Sequence, residues 1–449
     1  MGADETKSKK RVAITTLGCK VNQYESAAYL SDLAGREEVE IVPFSARADV
    51  YVINTCAVTA KAGAQSRQLI RRAAARNKKS RLVVTGCYAQ VAPQEVLEST
   101  GNPLCVVGNA HKGLVAAVAA APRSCDLEMY HGDMGACREA APLLVTAPGE
   151  RTRAVLKVQD GCNQWCSYCI VPQARGPSRS VAMARVLRQA EIFLAEGYRE
   201  VVLTGIHLGH YGLDFSPPSS LVALVDHLLE RDFPLRYRLS SLEPTEVGPA
   251  LLRRLADHPS LMPHLHIPLQ SGDDQILAAM NRPYRREQFA ATITSCATRL
   301  PEAAIGVDVL VGFPGEDETA FANTYELLAG LPISYLHVFP YSRRPGTRAA
   351  GLPDQVPGRL KDERTARLRE LDRQKRQQFY RRHLGQIRPV LAERGGRGQA
   401  AGHLRGFTDN YIPVSFAAPA RLINRVVEVS LEELGENGAL GRMVSQDAG

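Results

Sequence analysis

Short apolar runs that alternate with helix-like, Ala- and Arg-rich stretches restrict the folds open to this 449-residue chain more than any other feature. RVAITTLGC precedes a predicted helix from about Gln23 to Leu33, ADVYVINTC precedes QSRQLIRRAAARN, RLVVTGC precedes APQEVLEST, and PLCVVGN supplies a fourth strand. Strand, helix, strand, helix at this spacing predicts a parallel α/β sheet. From about Ala121 to Arg151 the text is irregular and bears Pro and Gly, as a linker does. The pattern then resumes in AVLKVQDGC, EVVLTGIHLG, RYRLSSLEP, HLHIPLQSG, AIGVDVLVGFPGE and SYLHVFPYSRRPGT, each followed by helix-like sequence. Six βα units with polar residues where each strand ends predict an open partial barrel, short of the closed eightfold one, with its site on the carboxyl-terminal rim. After Pro357 a charged, Pro-free helix runs to about His383, and IRPVLAER, FTDNYIPVSFA and NRVVEVSLEEL predict a small β-barrel. The domain reading is therefore an α/β sheet domain over 10–125, a linker over 126–150, a partial barrel with its trailing helix over 151–383, and an all-β barrel over 384–447.

Composition narrows the setting. Hydrophobic residues at 45% and charged residues at 23% are those of an ordinary globular chain. No apolar run reaches the roughly 18 residues of a membrane span, and MGADETKSKK lacks the apolar core of a signal peptide, so a cytoplasmic protein is expected. The net charge of +8 is concentrated: between Arg359 and Arg405 stand 14 Lys/Arg against 5 Asp/Glu. Such clustering suits a polyanion such as nucleic acid, or equally a solvated helix face. Gly406-Phe-Thr-Asp-Asn-Tyr411 adds two aromatics in a Gly-bearing loop beside it, so Phe407 and Tyr411 are candidates for base stacking or for core packing, and Arg376, Arg381 and Arg382 for phosphate contact.

Disulfides are rare in the cytosol, so spacing decides what ten cysteines do. Cys162, Cys166 and Cys169 form CxxxCxxC just after the first strand of the barrel block. Three thiolates on one loop can hold three corners of a 4Fe-4S cluster and leave an iron open to chelate S-adenosylmethionine (SAM) and pass it an electron. A structural zinc loop is the alternative, though zinc wants four ligands at other spacings. Cys19, Cys56 and Cys87 each end a predicted strand, and in a parallel sheet these ends share one edge. They are either buried sheet-end residues or a second three-thiolate site whose open iron carries sulfur. Cys105, Cys125, Cys137 and Cys296 have no partner spacing. His264 and His266 share a strand face without an evident third ligand, the pattern of satisfied rim histidines.

At CxxxCxxC, with an aromatic before the last cysteine, the chain resembles the radical SAM superfamily. The resemblance implies that Tyr168 lies against the adenine of SAM and that strand ends hold the rest: Thr204 and Gly205 in place of the usual Gly-Gly, Ser240 and Ser241, Gln270 and Ser271, and Asp308 with Gly312. LGCKVNQYES, INTCAVT and TGCYAQ resemble the three cysteine motifs of the methylthiotransferases, which join an N-terminal three-cysteine domain, a radical SAM barrel and a C-terminal TRAM barrel. LGCKVNQ, NTCAVT, GIHLG and RLSSLEP look most like the MtaB-type subfamily. That resemblance implies a transferase that places a methylthio group on carbon 2 of N6-threonylcarbamoyladenosine at tRNA position 37, using two 4Fe-4S clusters and SAM as both methyl donor and radical source. No side-chain acid or base is expected as catalyst. The implied partners are the tRNA anticodon stem-loop, with its target base extruded, and an electron donor such as flavodoxin or ferredoxin, with the enzyme a monomer and no membrane involved. Isopentenyladenosine of tRNA and an aspartate of a ribosomal protein are alternative substrates, and a non-catalytic iron-sulfur RNA-binding protein is the alternative outside enzymes.

Overall fold

The computed structural model describes residues 9–147, 149, 151–395 and 402–446. The chain forms two compact units. One holds 1–148 with Lys157–Ile192 and Ser342–Ala350; the other holds 149–156, Phe193–Tyr341 and 351–449.

In the first unit six parallel strands, β1 (Lys10–Thr16), β2 (Val39–Ile41), β3 (Val50–Thr55), β4 (Arg81–Gly86), β5 (Leu104–Val107) and β6 (Leu127–Tyr130), form a sheet in the order β2-β1-β3-β4-β5-β6. Every residue of β3 and β4 is buried, as an apolar run must be when helices cover both faces of a parallel sheet. Period-two alternation sorts the side chains. Ala13, Tyr51, Ile53, Leu82, Val84 and Val106 pack with Ile70 and Ala73 of the helix Ala60–Arg76, while Val12, Val50, Val52, Val83 and Val107 pack with Tyr29 and Leu33 of the helix Lys20–Ala34. Two strands were not expected. VEI of β2 is too short to show a period, and LEMY of β6 lies in the stretch read as irregular linker, where its alternately exposed residues make an edge strand against β5.

The second unit carries the six strands of the barrel block. After β7 (Ala154–Lys157) the chain makes a short antiparallel ladder in the first unit, β8 (Gln159–Asp160) with β9 (Arg179–Ser180). It then forms β10 (Glu200–Thr204), β11 (Arg236–Leu239), β12 (His264–His266), β13 (Ala304–Val311) and β14 (Tyr335–Pro340). These strands lie as β11-β10-β7 and β12-β13-β14, and a parallel bridge from Tyr237 to Leu261 leads from one sheet toward the other, an open arc rather than a closed barrel. The helix Gly358–Arg382 follows, and then a closed barrel, β15 (Ile387–Glu393), β16 (His403–Thr408), β17 (Pro413–Ala417), β18 (Val426–Gly435) and β19 (Gly438–Gln446), in the order β15-β16-β17-β19-β18. FTDNYIPVSFA is therefore two strands joined by a turn. Phe407 sits in the β16 ladder opposite Leu391 and Pro413, not in a loop, and Tyr411 takes a left-handed φ of 70° in the turn. No helix among the described residues is long and apolar enough to cross a membrane.

Candidate functional site

In the first unit, Cys19 caps the helix Lys20–Ala34 just beyond β1, Cys56 follows the last residue of β3, and Cys87 opens the helix Cys87–Val91 directly after β4. These three strands are neighbours in the sheet, so the thiols meet at one edge. Two glycines let the loops close. Gly18 has φ 102° and a Cβ there would stand 3.1 Å from Cys56 Cβ; Gly86 has φ 92° and a Cβ would fall 2.4 Å from Asn54 Oδ1 and from the Thr55 carbonyl. Asn22 and Asn54, from the LGCKVNQ and INTC motifs, lock the loops together. Asn22 Nδ2 donates to the carbonyls of Leu17 and Thr55, each at 3.0 Å, and Asn54 Nδ2 donates to the Asn22 carbonyl at 3.0 Å. Burial pushes the Cys56 thiol up to about 11, with the neighbouring Cys87 and Cys19 adding to the shift.

The CxxxCxxC loop belongs to the same unit. β8 and β9 pinch its base, Gly161 takes φ 76° where a Cβ would strike the Pro177 carbonyl at 2.0 Å, and the exposed Trp165 takes a left-handed φ of 49°. Cys162, Cys166 and Cys169 are all half-buried, and Tyr168 beside them likewise. Backbone amides point at two of the sulfurs: Gln164 N–H to Cys162 Sγ at 3.4 Å and Val171 N–H to Cys169 Sγ at 3.5 Å. None of the ten cysteines is in a disulfide.

The largest feature that sequence reasoning missed lies between these two thiol sets. Arg175, fully buried at the end of the helix Val171–Arg175, donates from Nε to Cys87 Sγ at 3.3 Å, from Nη1 to Glu25 Oε1 at 2.9 Å and Asp160 Oδ1 at 2.8 Å, and from Nη2 to Asn22 Oδ1 at 2.7 Å. Lys112 Nζ bridges Glu25 at 2.8 Å and Asp160 at 2.7 Å; Lys157 lies 3.4 Å and Arg179 3.9 Å from Asp160 Oδ2. Burial alone would raise the pKa of both carboxyls, but these cations outweigh it and hold Glu25 and Asp160 well below the usual carboxylate range. Burial lowers the Lys157 pKa. Leaving Lys157 aside, Arg175, Lys112 and Arg179 still exceed the two carboxylates by one positive charge. A buried surplus of that sign needs an anion beside it. Three thiolates carrying an iron-sulfur core are anionic, so both the sulfur donors and the charge around them fit such a cluster. The one local signal is charge inside apolar text, Lys157 and Asp160 in AVLKVQDGC; their partners Glu25 and Lys112 lie far off in the sequence.

The strand-end residues of the second unit line the carboxyl ends of β10 to β13. Thr204 ends β10 and is buried; Gly205 follows it. Ser240 is buried with its Oγ lacking a hydrogen-bond partner among the described residues, whereas Ser241 is exposed. Gln270 takes φ 68° and bridges to Val309, and Ser271 Oγ accepts from the Asp273 N–H at 3.2 Å. Gly312, at φ 74°, donates its N–H to Glu316 Oε1 at 2.9 Å. Asp308 is held in place by His266 Nε2 at 2.8 Å and His337 Nδ1 at 3.2 Å. His266 thus has the neighbours that the sequence did not reveal, because β13 and β14 pair Asp308 opposite His337. The chain of contacts continues inward through Tyr335 OH to His264 Nε2 at 2.7 Å. Burial would raise the Asp308 pKa, but its two histidine hydrogen bonds prevail and lower it.

The candidate RNA residues are unequal. Arg376 lies over the Tyr335 ring and is held by both oxygens of Asp372 at 2.9 Å, and Arg382 donates to the Pro301 carbonyl at 2.8 Å, while Arg381 is exposed. Phe407 and Tyr411 stack on each other at 4.8 Å, with the Arg153 guanidinium 4.4 Å from the Phe407 ring and Arg238 5.1 Å from the Tyr411 ring. Much of the positive segment is likewise paired internally: Arg364 with Glu316, Arg373 with Glu370, Arg388 with Asp409. Arg397 lies outside the described residues.

Known proteins share both halves of this arrangement. Residues 11–108 match the family described as uncharacterized protein family UPF0004, and residues 156–328 match the radical SAM superfamily. The fold resembles the solved structure of the radical S-adenosylmethionine methyltransferase TsrM from Kitasatospora setae, which has cobalamin and a 4Fe-4S cluster bound; the TM-score is 0.54 at 16% identity, over 76% of this chain and 77% of that one. The class is thus a radical SAM protein with an α/β domain ahead of its radical SAM domain. The chain is 39% identical to the threonylcarbamoyladenosine tRNA methylthiotransferase MtaB of Aquifex aeolicus, over 90% of this chain and 96% of that protein. To the MtaB of Bacillus subtilis it is 38% identical, over 94% of each. It belongs to the MtaB family of tRNA methylthiotransferases.

Proposed function

We propose that this enzyme converts N6-threonylcarbamoyladenosine at tRNA position 37 to its 2-methylthio form in the cytoplasm, with one 4Fe-4S cluster on Cys162, Cys166 and Cys169 and a second on Cys19, Cys56 and Cys87. The observation that supports it best is the meeting of three strand-end thiols at one sheet edge, in the same unit as the CxxxCxxC loop and beside a buried surplus of positive charge. When bound, the clusters and SAM supply hydrogen abstraction and a methyl group on sulfur, chemistry that an unactivated aromatic C–H demands because it has no acidic proton for a side-chain base. The chain's own part is to hold and orient. Gly18, Gly86, Asn22 and Asn54 fix the strand-end thiols, and the amides of Gln164 and Val171 steady the loop thiols. Tyr168, Thr204, Gly205, Ser240, Ser241, Gln270, Ser271, Asp308 and Gly312 would hold SAM, and the Ser240 hydroxyl, without a hydrogen-bond partner among the described residues, suits such a polar ligand. In this reading the chain works as a sheet domain, a radical SAM domain and a TRAM barrel that binds the anticodon arm, with electrons arriving from a flavodoxin or ferredoxin.

The test is the Cys19→Ala, Cys56→Ala, Cys87→Ala triple variant under anaerobic, reducing conditions with tRNA. Reductive cleavage of SAM should continue, because the CxxxCxxC ligands are untouched, while 2-methylthio nucleosides disappear from the tRNA digest by mass spectrometry. A variant that still methylthiolates tRNA would remove the second cluster from the reading. Wild-type product on isopentenyladenosine or on a ribosomal peptide instead would remove the substrate.

A further inference from the structure

We infer that Arg175 is a positioning and tuning residue shared by the two thiol sets: it sets the reduction potential of the cluster on Cys19, Cys56 and Cys87 and ties that cluster to the CxxxCxxC loop. The inference rests on the second cluster of the proposed function and goes further in naming what controls it.

Three features carry it. Arg175 stands six residues after Cys169, and Asp160, its partner at 2.8 Å, stands two residues before Cys162, so the two ends of the CxxxCxxC loop grip each other through one ion pair. The same guanidinium reaches Cys87 Sγ at 3.3 Å and Asn22 Oδ1 at 2.7 Å, and Asn22 Oδ1 in turn accepts from the Cys19 thiol at 3.5 Å. One rigid fork therefore touches ligands or ligand-loop residues of both sets. Its planar geometry is used fully: every nitrogen has an acceptor, which Lys could not reproduce from one point charge. Finally, the site is dry. Arg175, Glu25 and Asp160 are essentially unexposed, so the positive charge next to Cys87 is little screened.

The consequence concerns an electron. Adding one to a cluster held by Cys87 increases its negative charge, and a fixed cation donating a hydrogen bond to a ligand sulfur stabilises that reduced state; hydrogen bonds to the sulfurs are among the main determinants of such potentials. Arg175 should therefore hold the potential up. Asn109 Nδ2, 3.9 Å from the same sulfur, adds a weaker neutral contact.

The experiment uses the full chain with Cys162, Cys166 and Cys169 changed to Ala, so that only the strand-end site can take up iron, reconstituted anaerobically with ferrous iron and sulfide. Two readouts are needed. With 15N-arginine, pulsed electron paramagnetic resonance of the reduced cluster should reveal a 15N coupling from the Arg175 Nε–H···S contact. Redox titration should then find that Arg175→Gln lowers the ratio of reduced to oxidised cluster at fixed potential at least tenfold, ~59 mV for one electron, with Arg175→Lys recovering part of that shift but not the 15N coupling. A cluster that forms but shows neither the coupling nor the shift overturns the role of Arg175 and leaves the second cluster standing. Absence of any cluster in the background variant overturns both. Should neither Arg175 variant accumulate, the 15N coupling in the protein that retains Arg175 decides the matter alone.

Discussion

Glu200→Gln should weaken the second unit in a manner that depends on pH. Glu200 opens β10 with no exposed surface and faces two arginines of β11, Arg238 Nε at 2.8 Å and Arg236 Nε at 3.2 Å. Burial would raise its pKa, but Arg238 and Arg236, with Arg153 behind them, pull it down from the ordinary 4.5 to about 2. Because the folded value lies below the unfolded one, the carboxylate contributes stability that is fully present above pH ~4.5 and is lost as pH falls through ~2. At about 1.36 kcal/mol per pH unit between the two values, the carboxylate contributes on the order of 3 kcal/mol at pH 7, and the same linkage leaves on the order of 2 kcal/mol at pH 3.5. Hydrogen exchange read by mass spectrometry on peptides spanning 200–204 and 236–239 reports the local opening free energy. The advantage of wild type over the variant should shrink by on the order of 1 kcal/mol between pH 7 and pH 3.5. A difference that does not change between the two pH values would refute the reasoning, since a lost hydrogen bond or a shape change has no reason to titrate there. Arg238 also donates to the carbonyls of Thr408 and Asp409, so peptides around 403–417 should loosen with it.

Gly86→Ala forces a side chain onto φ 92° and into two oxygens at 2.4 Å, which costs on the order of 1–3 kcal/mol from the dihedral alone and displaces the chain between Asn54 and Cys87. Reconstituted iron should fall from about eight per chain to about four, with SAM cleavage retained; a full complement of iron would show that the turn tolerates the change. Arg381→Ala removes an exposed cation and should reduce the slope of log binding constant against log salt for tRNA by ~0.7–0.9, whereas Arg376→Ala should leave the slope unchanged and lower stability, because Asp372 and Tyr335 already occupy that guanidinium. The reverse pattern would move the RNA away from the end of this helix.

Much of this was legible in the sequence because period and spacing encode it. Apolar runs ending in Cys gave β1, β3 and β4 and put Cys19, Cys56 and Cys87 at their carboxyl ends; the six barrel strands followed from the same alternation, and the helix after Pro357 from its charged, Pro-free text. What stayed hidden was of two kinds. VEI and LEMY are too short or too polar to show a period, so an edge strand passed for linker. The contacts of Arg175 span 150 residues to Glu25 and 88 to Cys87, and pairing over such distances leaves no local trace. Charge counting misled for a related reason. The excess of basic residues from Arg359 to Arg405 counts only carboxylates inside that segment, yet Arg364 and Arg388 are bound to Glu316 and Asp409 outside it, so the sum of charges overstated what a polyanion could use.

Stability does not explain the buried ions between the thiols. Each charge taken from water carries a desolvation penalty of several kcal/mol, and well-packed apolar residues of similar volume often serve a core as well or better. Elsewhere in the same sheet the chain does use them: β3 and β4 bury Val, Ile, Tyr and Leu on both faces. The ionic residues Glu25, Lys112, Asp160 and Arg175 gather where the ends of β1, β3 and β4 meet the base of the CxxxCxxC loop. That placement fits a demand for charge and direction: a guanidinium flanked by two carboxylates is held against rotation and kept on Cys87, whereas an apolar replacement would fill the space without fixing a donor on the sulfur. It also explains why two carboxylates accompany more than two cations. A positive remainder suits a network that faces an anionic group.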